Sequence, residues 1–145
     1  MGCPCGNDDP DAGCANSTGL GALLAAAGTP SIAADDLVLA AIGMPSHRVA
    51  MLVLGSGAQM LPFRSGLLCV GGEVRSGRRH HPTGPSGTVS LTGVVGILAH
   101  APVGLQVQPG ETWSFQVWYR DVPPHKAHCG NKSNLTNALG VTFAP

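Results

Sequence analysis

The sequence predicts an all-β protein, a two-sheet antiparallel β-sandwich of the jelly-roll or immunoglobulin-like kind. The chain has 21 glycines and 12 prolines among its 145 residues, and this composition is typical of folds that are rich in turns. Residues 112–121 alternate apolar and polar side chains with a period of two, as a half-buried strand does. Several other short apolar runs follow one another between glycine and proline turn signals, which favours a sandwich of seven or eight short strands.

The run at residues 112–121 is the element around which the rest of the chain is organised, because it holds both tryptophans and the only tyrosine. These large rings supply most of the aromatic surface that a core can bury. One face of the predicted strand carries Trp113, Phe115, Val117 and Tyr119, and the other carries Ser114, Gln116, Trp118 and Arg120.

The remaining strands are predicted from shorter runs. Residues 20–27 have helical propensity, but the flanking glycines and the following Pro30 make a first strand equally compatible. Residues 37–42 and 49–54 are apolar runs joined by a short polar link, which predicts a hairpin or a sandwich corner with a doubly buried second strand.

Further along the chain, turn signals separate the later elements. Residues 75–87 have the composition of a loop, and residues 94–105, broken by Pro102, are expected to be irregular or an edge. No helix is predicted outside residues 20–27. Three further strands are expected at residues 67–70, 88–92 and 139–143.

Length indicates one folding unit with an appended leader. Residues 1–19 are a leader that is rich in cysteine and aspartate and has no strand pattern, and residues 20–145 are the sandwich.

Five cysteines in so short a chain indicate disulfides and therefore an oxidising compartment. Cys5 and Cys14 flank a short, turn-rich loop that is easy to close, so this pair is the first expectation, and it pins the leader. Cys69 with Cys129 is the second, which leaves Cys3 unpaired or bonded outside this segment. A zinc site is disfavoured because no Cys-x-x-Cys pair is present.

Charge and hydropathy exclude two classes of partner. Eight basic and eight acidic residues balance, so the chain lacks the basic face that a nucleic acid requires. The apolar run at 20–27 is too short to cross a bilayer, so no membrane insertion is expected. No signal peptide is recognisable, and secretion therefore requires that one was removed or that the segment comes from a longer chain.

The sequence offers two sets of candidate metal ligands, and for both a metal site is the less favoured interpretation. Asp8, Asp9 and Asp11 offer closely spaced hard oxygens of the kind that calcium prefers, although an Asx-rich turn is the favoured interpretation. The histidine pairs His80/His81 and His125/His128 could bind a transition metal through their imidazole nitrogens. The favoured interpretation is that they are surface histidines without a function. No cofactor is therefore predicted.

Three Asn-x-Ser/Thr triplets, at Asn16, Asn131 and Asn134, are candidate glycosylation sites, and each must lie on the surface to be modified.

Catalysis is not indicated. Ser90 and Ser114 are candidate nucleophiles by residue type, but neither lies in a Gly-x-Ser-x-Gly turn. Asp121, directly after Arg120, is expected to form a structural ion pair or a turn cap. We expect no enzyme.

Six motifs follow one another along the chain: CPCGN at 3–7, GCANSTG at 13–19, AADDLVL at 33–39, GLLCVGG at 66–72, WSFQVWYRD at 113–121 and NLTNALGVTF at 134–143. In this order they resemble a group of secreted bacterial domains, which stand at the C-terminal ends of large extracellular proteins of planctomycete and myxobacterial type. The resemblance covers nearly the whole chain. It implies an extracellular location, a β-sandwich and disulfides, and it implies no reaction.

These expectations favour a secreted, non-enzymatic structural or adhesive module at the cell surface. Its partners would be copies of itself in a filament or other surface proteins, with the leader lying against a neighbour's sheet edge. The alternative is a carbohydrate-binding module that stacks a polysaccharide ring on Trp118. This requires an exposed indole, and a covered, core-like Trp118 is the favoured expectation.

Overall fold

A computed structural model describes residues 2–122 and 131–145. These residues form two antiparallel sheets, of three and six strands, and one short helix, which confirms the predicted all-β, two-sheet fold. The elements are β1 (Leu23–Ala27), β2 (Val38–Ile42), β3 (Val49–Phe63), β4 (Gly66–Ser76), β5 (His81–Pro82), β6 (Val89–Leu91), α1 (Val94–Ala99), β7 (Thr112–Arg120), β8 (Ser133–Leu135) and β9 (Leu139–Thr142).

The small sheet has the order β1-β2-β6, and the large sheet has the order β4-β3-β7-β8. Strand β5 also pairs with β3, and β9 pairs with β7. The aromatic strand β7 is therefore central, with β3 along one edge and with β8 and β9 sharing the other.

The core lies between the two sheets. The predicted inward face of β7 is buried, and Phe115 and Tyr119 are completely inaccessible to solvent. Phe115 meets Phe143 edge to face, with ring centroids 6.4 Å apart. Burying each such ring contributes roughly 1.5–3 kcal/mol. The small sheet supplies the opposing layer, through Leu24, Leu39, Ala41, Val89 and Leu91.

The runs at 37–42 and 49–54 form a corner between the sheets and not a hairpin. Strand β2 pairs with β1 and β6, whereas β3 pairs with β4, β5 and β7. Gly43, with φ of 78°, lies at the end of β2, where the chain leaves the small sheet. Residues 20–27, for which helix and strand were both open, contain strand β1.

Residues 94–105 were expected to be irregular or an edge, and this expectation is wrong for the first six of them, which form α1. The Asp35 carboxylate accepts hydrogen bonds from the backbone N–H groups of Val95, at 2.7 Å, and Gly96, at 3.0 Å. It caps the first turn from a distant loop, and the side chains of Val94 and Leu98, which belong to the helix, are fully buried. No local sequence signal marks this start, because the capping residue lies 60 positions away from Val95.

The leader packs on its own domain. Asn7 donates a hydrogen bond of 3.0 Å from Nδ2 to the carbonyl of Ser65, and the Asp121 carboxylate accepts one from the backbone N–H of Ser17. An isolated bridge joins Ala15 to Gly21, and the described part of the leader contains no strand longer than that.

Within the described residues, no helix has both the length and the apolar character needed to span a membrane.

Candidate functional site

A groove of about 700 Å³ lies on the outer face of the large sheet. Its floor is a cross-strand row in which Met51 of β3 lies opposite Trp118 of β7, and Trp118 lies opposite Leu135 of β8. Residues that pair directly across strands share one face of a sheet, so these three apolar side chains lie side by side. They point away from the core that the other face of β7 builds.

The β3–β4 hairpin forms the roof of the groove. Strand β3 continues beyond its pairing with β7 into a second half that pairs only with β4, with register shifts at Gly55/Gly57 and Ala58/Leu61. Such bulges bend a strand and increase its twist. The bent hairpin brings Phe63 and Leu68 to the groove that Trp118 lines.

Gln116 fixes the hairpin to the sheet. Its Nε2 donates to the carbonyl of Leu67, at 2.8 Å, and to that of Thr136, at 2.7 Å, while its Oε1 accepts from the N–H of Cys69, at 3.0 Å. The side chain is fully buried although it belongs to the polar face of the alternating pattern. Its hydrogen bonds join β7, β4 and the turn after β8, and they replace contacts with water.

Trp118 is half-buried, so it is neither the covered core residue that was favoured nor a fully exposed platform. The guanidinium carbon of Arg120 lies 5.9 Å from the centroid of its ring. On the hairpin, the guanidinium carbon of Arg64 similarly lies 6.0 Å from the ring centroid of Phe63. The groove therefore places an arginine over each of two aromatic rings.

The lining of the groove is apolar with a cationic component. Seven of its twelve residues are apolar, three are cations and two are the polar residues Asn131 and Ser133. No carboxylate lines this groove among the residues that the structure describes. The arrangement offers flat apolar surface and positive charge to a ligand.

No known family model matches this chain, and no curated protein matches it either. The resemblance to secreted bacterial domains therefore stays an expectation, and the geometry of the groove carries the functional argument.

The predicted disulfide between Cys5 and Cys14 is wrong. Cys3, and not Cys5, pairs with Cys14, with 5.8 Å between their Cα atoms. A tight turn in which the N–H of Gly6 donates to the carbonyl of Cys3, with Asp8 capping the N–H of Cys3, directs Cys3 towards Cys14. Cys5 is disulfide-bonded as predicted, but not to Cys14.

The predicted Cys69–Cys129 pair is also wrong, because Cys69 carries a free thiol. Its half-buried side chain packs against Leu67 and the Cys3–Cys14 bridge, and burial raises the pKa of the thiol. Cys129 lies outside the described residues.

The aspartates of the leader act as backbone caps. Asp8 accepts from the N–H of Cys3, and Asp9 accepts from the N–H groups of Asp11 and Gly21. The hydrogen bond from Gly21, together with that from Asp11, lowers the pKa of Asp9. Contacts of this kind are typical of an Asx-rich turn.

Two of the three candidate glycosylation sites are buried. Asn16 and Asn134 have no accessible surface, and each side-chain nitrogen donates two hydrogen bonds. Asn16 bonds the carbonyl of Gly43 and the hydroxyl of Tyr119, so neither Asn16 nor Asn134 has the surface position that modification requires. Asn131 is half-buried at the groove and remains a candidate glycosylation site.

The two described histidines of the candidate metal site, His80 and His81, differ in their surroundings. His81 lines a second cavity, of about 380 Å³, together with His100, whereas His80 is exposed. Burial, followed by the charges of Arg79 and His80, lowers the pKa of His81. Among residues 2–122 and 131–145, no three metal-ligating side chains come together, and His125 and His128 lie outside these ranges.

Ser90 is exposed on β6 and Ser114 is half-buried on β7. Asp121 is buried and bonds the N–H of Ser17 with both oxygens, at 3.1 and 3.2 Å, so it is a cap and not an ion-pair partner of Arg120. The sequence pattern missed the groove residues Arg64 and Lys132, since nothing local relates them to Trp118.

Proposed function

We propose that this chain is a non-enzymatic extracellular binding module that holds a saccharide ring in the groove, with Trp118 as the stacking surface. The observation that carries the proposal is the position of the half-buried indole, which faces an open groove and not the core. A flat ring face beside polar groups is what recognition of a sugar requires, because one side of a sugar ring is apolar and its rim is not.

The floor of the groove is formed by paired strands, which favours recognition of a flat ligand. Trp118 is flanked by Met51 and Leu135 on paired strands, and Gln116, two positions before it on the same face, ties the roof to the floor. Binding to such a pre-formed site costs little ordering entropy.

Two observations support the non-enzymatic and extracellular parts of the proposal. The polar groups of the groove are cations, one amide and one hydroxyl, with no histidine or carboxylate to act as an acid or base among its described lining. The Cys3–Cys14 disulfide is of the kind that persists in oxidising compartments.

Binding of the purified protein to a polysaccharide array tests the proposal. We expect Trp118→Ala to abolish binding and Trp118→Phe to retain part of it, because phenylalanine keeps a smaller ring. Val122→Ala is a matched control, since it removes an exposed apolar side chain that does not line this groove. Circular dichroism checks that all variants are folded, and the absence of binding to any saccharide would refute the proposal.

A structural subunit that associates with copies of itself is the second candidate. The tip of the β3–β4 hairpin exposes 56% of Met60, 53% of Leu61 and 40% of Phe63, and clustered apolar exposure of this kind marks protein contacts. The filament hypothesis needs the leader on a neighbouring molecule, whereas the leader is hydrogen-bonded to its own domain. The hairpin tip is thus the surface that we propose for self-association.

Sedimentation velocity over a range of concentrations tests this second candidate. We expect the wild type to associate and Leu61→Lys to remain monomeric. Leu20→Lys is the matched control, because Leu20 is 67% exposed and lies in a different segment. A wild type that stays monomeric at high concentration excludes self-association.

A further inference from the structure

The groove holds a local excess of positive charge in a chain whose net charge is zero. Arg64, Arg120 and Lys132 all line it, and no described acidic residue does. They come from three places in the sequence: the turn of the β3–β4 hairpin, the end of β7 and the residue just before β8. Only the fold brings these three residues together, and no local run of basic residues in the sequence predicts the cluster.

These three cations have no ion-pair partner within the part of the chain that the structure describes. The ion pair found there joins Arg75 to Glu73, on β4. Arg64, Arg120 and Lys132 are exposed, so water and counterions satisfy them in the unliganded protein. Three unpaired cations around an apolar floor attract an anion, and a ligand that releases their counterions gains affinity.

The aromatic rings and the cations lie next to each other. With the guanidinium of Arg120 5.9 Å from the centre of the Trp118 ring, a substituent on a ring stacked against Trp118 comes within reach of this cation. An arginine offers a planar pair of N–H donors that matches a carboxylate or a sulfate.

We propose that the ligand of the groove is an acidic saccharide, one whose sugar ring carries a carboxylate or a sulfate. The ring stacks on Trp118, and its anionic group pairs with Arg120 and with Arg64 or Lys132. This inference rests on the proposed saccharide-binding function and specifies the ligand class for the same site. The mixed lining, with Asn131 and Ser133 beside the apolar floor, favours a saccharide over a lipid carboxylate.

Matched acidic and neutral polysaccharides test the proposal, by affinity electrophoresis with the whole chain. The first pair is polygalacturonate and its fully methyl-esterified form, and the second is dextran sulfate and dextran. We expect the acidic member of at least one pair to bind about tenfold more tightly than its neutral partner. The comparison between the pairs identifies carboxylate or sulfate as the anion. Raising the salt concentration should erase most of the preference.

Charge-removing variants locate the effect. We expect Arg120→Gln, Arg64→Gln and Lys132→Gln each to weaken binding of the acidic ligand by about threefold more than binding of the neutral one. Arg78→Gln is the matched control, since it removes an exposed cation outside the groove. An equal loss in Arg78→Gln would mean general charge attraction and would overturn the proposal.

The outcomes separate this inference from the function on which it rests. Equal binding of acidic and neutral saccharides, lost in Trp118→Ala, would keep the binding module and overturn the acidic ligand. If oleate bound in the groove and no saccharide did, both the saccharide-binding function and the acidic-saccharide ligand would be overturned. A preference for the acidic saccharide that disappears in the groove variants and survives in Arg78→Gln supports both.

Discussion

Side-chain amides make several of the connections between distant segments of this sandwich. The side chain of Asn137 accepts from the N–H of Leu24, at 2.7 Å, and donates to its carbonyl, at 3.1 Å. This pair of bonds imitates a strand partner and covers part of the outer edge of β1, which would otherwise be open to pairing with another chain. Asn16 and Gln116 make comparable cross-links in the interior.

At Asn16 we expect Asn16→Ala to lower the free energy of unfolding by about 1–3 kcal/mol, because it removes the hydrogen bonds to the carbonyl of Gly43 and to the buried hydroxyl of Tyr119. Burial already raises the pKa of Tyr119 well above its usual value, so the hydroxyl stays protonated and keeps needing a partner. Urea unfolding measures the change. Asn131→Ala, at a half-buried position, should change stability by less than about 0.5 kcal/mol, and equal losses at both sites would contradict the prediction.

At Cys69 we expect slow alkylation in the native protein. Burial raises the pKa of the thiol, so less reactive thiolate is present at neutral pH, and the side chain is partly covered. Iodoacetamide labelling followed by peptide mapping should show a rate at least roughly tenfold lower than in urea, where the thiol is exposed. If the thiol in the native protein reacted as fast as a fully exposed cysteine, the conclusion that burial protects Cys69 would be wrong.

At the scale of elements, the β3–β4 hairpin shapes the groove, and its bend depends on close contact between two glycines. A Cβ atom added at Gly55 would lie 2.3 Å from the carbonyl oxygen of Gly71, a backbone atom that cannot turn aside. At Gly57, two residues further along β3, the nearest atom would be 3.7 Å away. The two positions lie on the same strand but differ in the room available for an added Cβ atom.

This contrast predicts that Gly55→Ala destabilises the protein by about 1–3 kcal/mol, as over-packing against backbone does, whereas Gly57→Ala changes stability by less than about 1 kcal/mol. Thermal melting measures both. Gly55→Ala should also weaken ligand binding, because the roof of the groove moves when the bend opens. Equal effects of the two substitutions would show that the bend does not depend on this contact.

The elements that the sequence predicted well are those with local patterns. Strand β7 and the inward positions Val89 and Leu91 of β6 follow from alternation, which each strand expresses by itself. The helix α1 and the extension of β3 beyond Leu54 were missed. The start of α1 is capped by the distant Asp35, and the second half of β3 is a strand because β4 pairs with it.

At the scale of the whole molecule, the Cys3–Cys14 bridge closes a loop with a sequence separation of 11 residues and holds the leader against β4. Replacing both cysteines, as Cys3→Ser with Cys14→Ser, should lower the free energy of unfolding by about 2–3 kcal/mol, because the unfolded leader regains its freedom. Calorimetry measures the loss. Cys69→Ser is the control, and we expect it to change stability by less than about 1 kcal/mol because no bridge is removed.

The sequence by itself determined the fold class, the buried face of the aromatic strand and the presence of a disulfide at Cys14. These follow from composition, from the two-residue period of a strand and from cysteine count, which are properties of short segments. The tertiary structure alone decided that Cys3 and not Cys5 is the partner of Cys14, that Asn16 and Asn134 are interior, and that Trp118 faces a groove. Each of these depends on segments far apart in the chain. Gln116, for example, meets Leu67 across 49 positions, and no local pattern encodes such a contact.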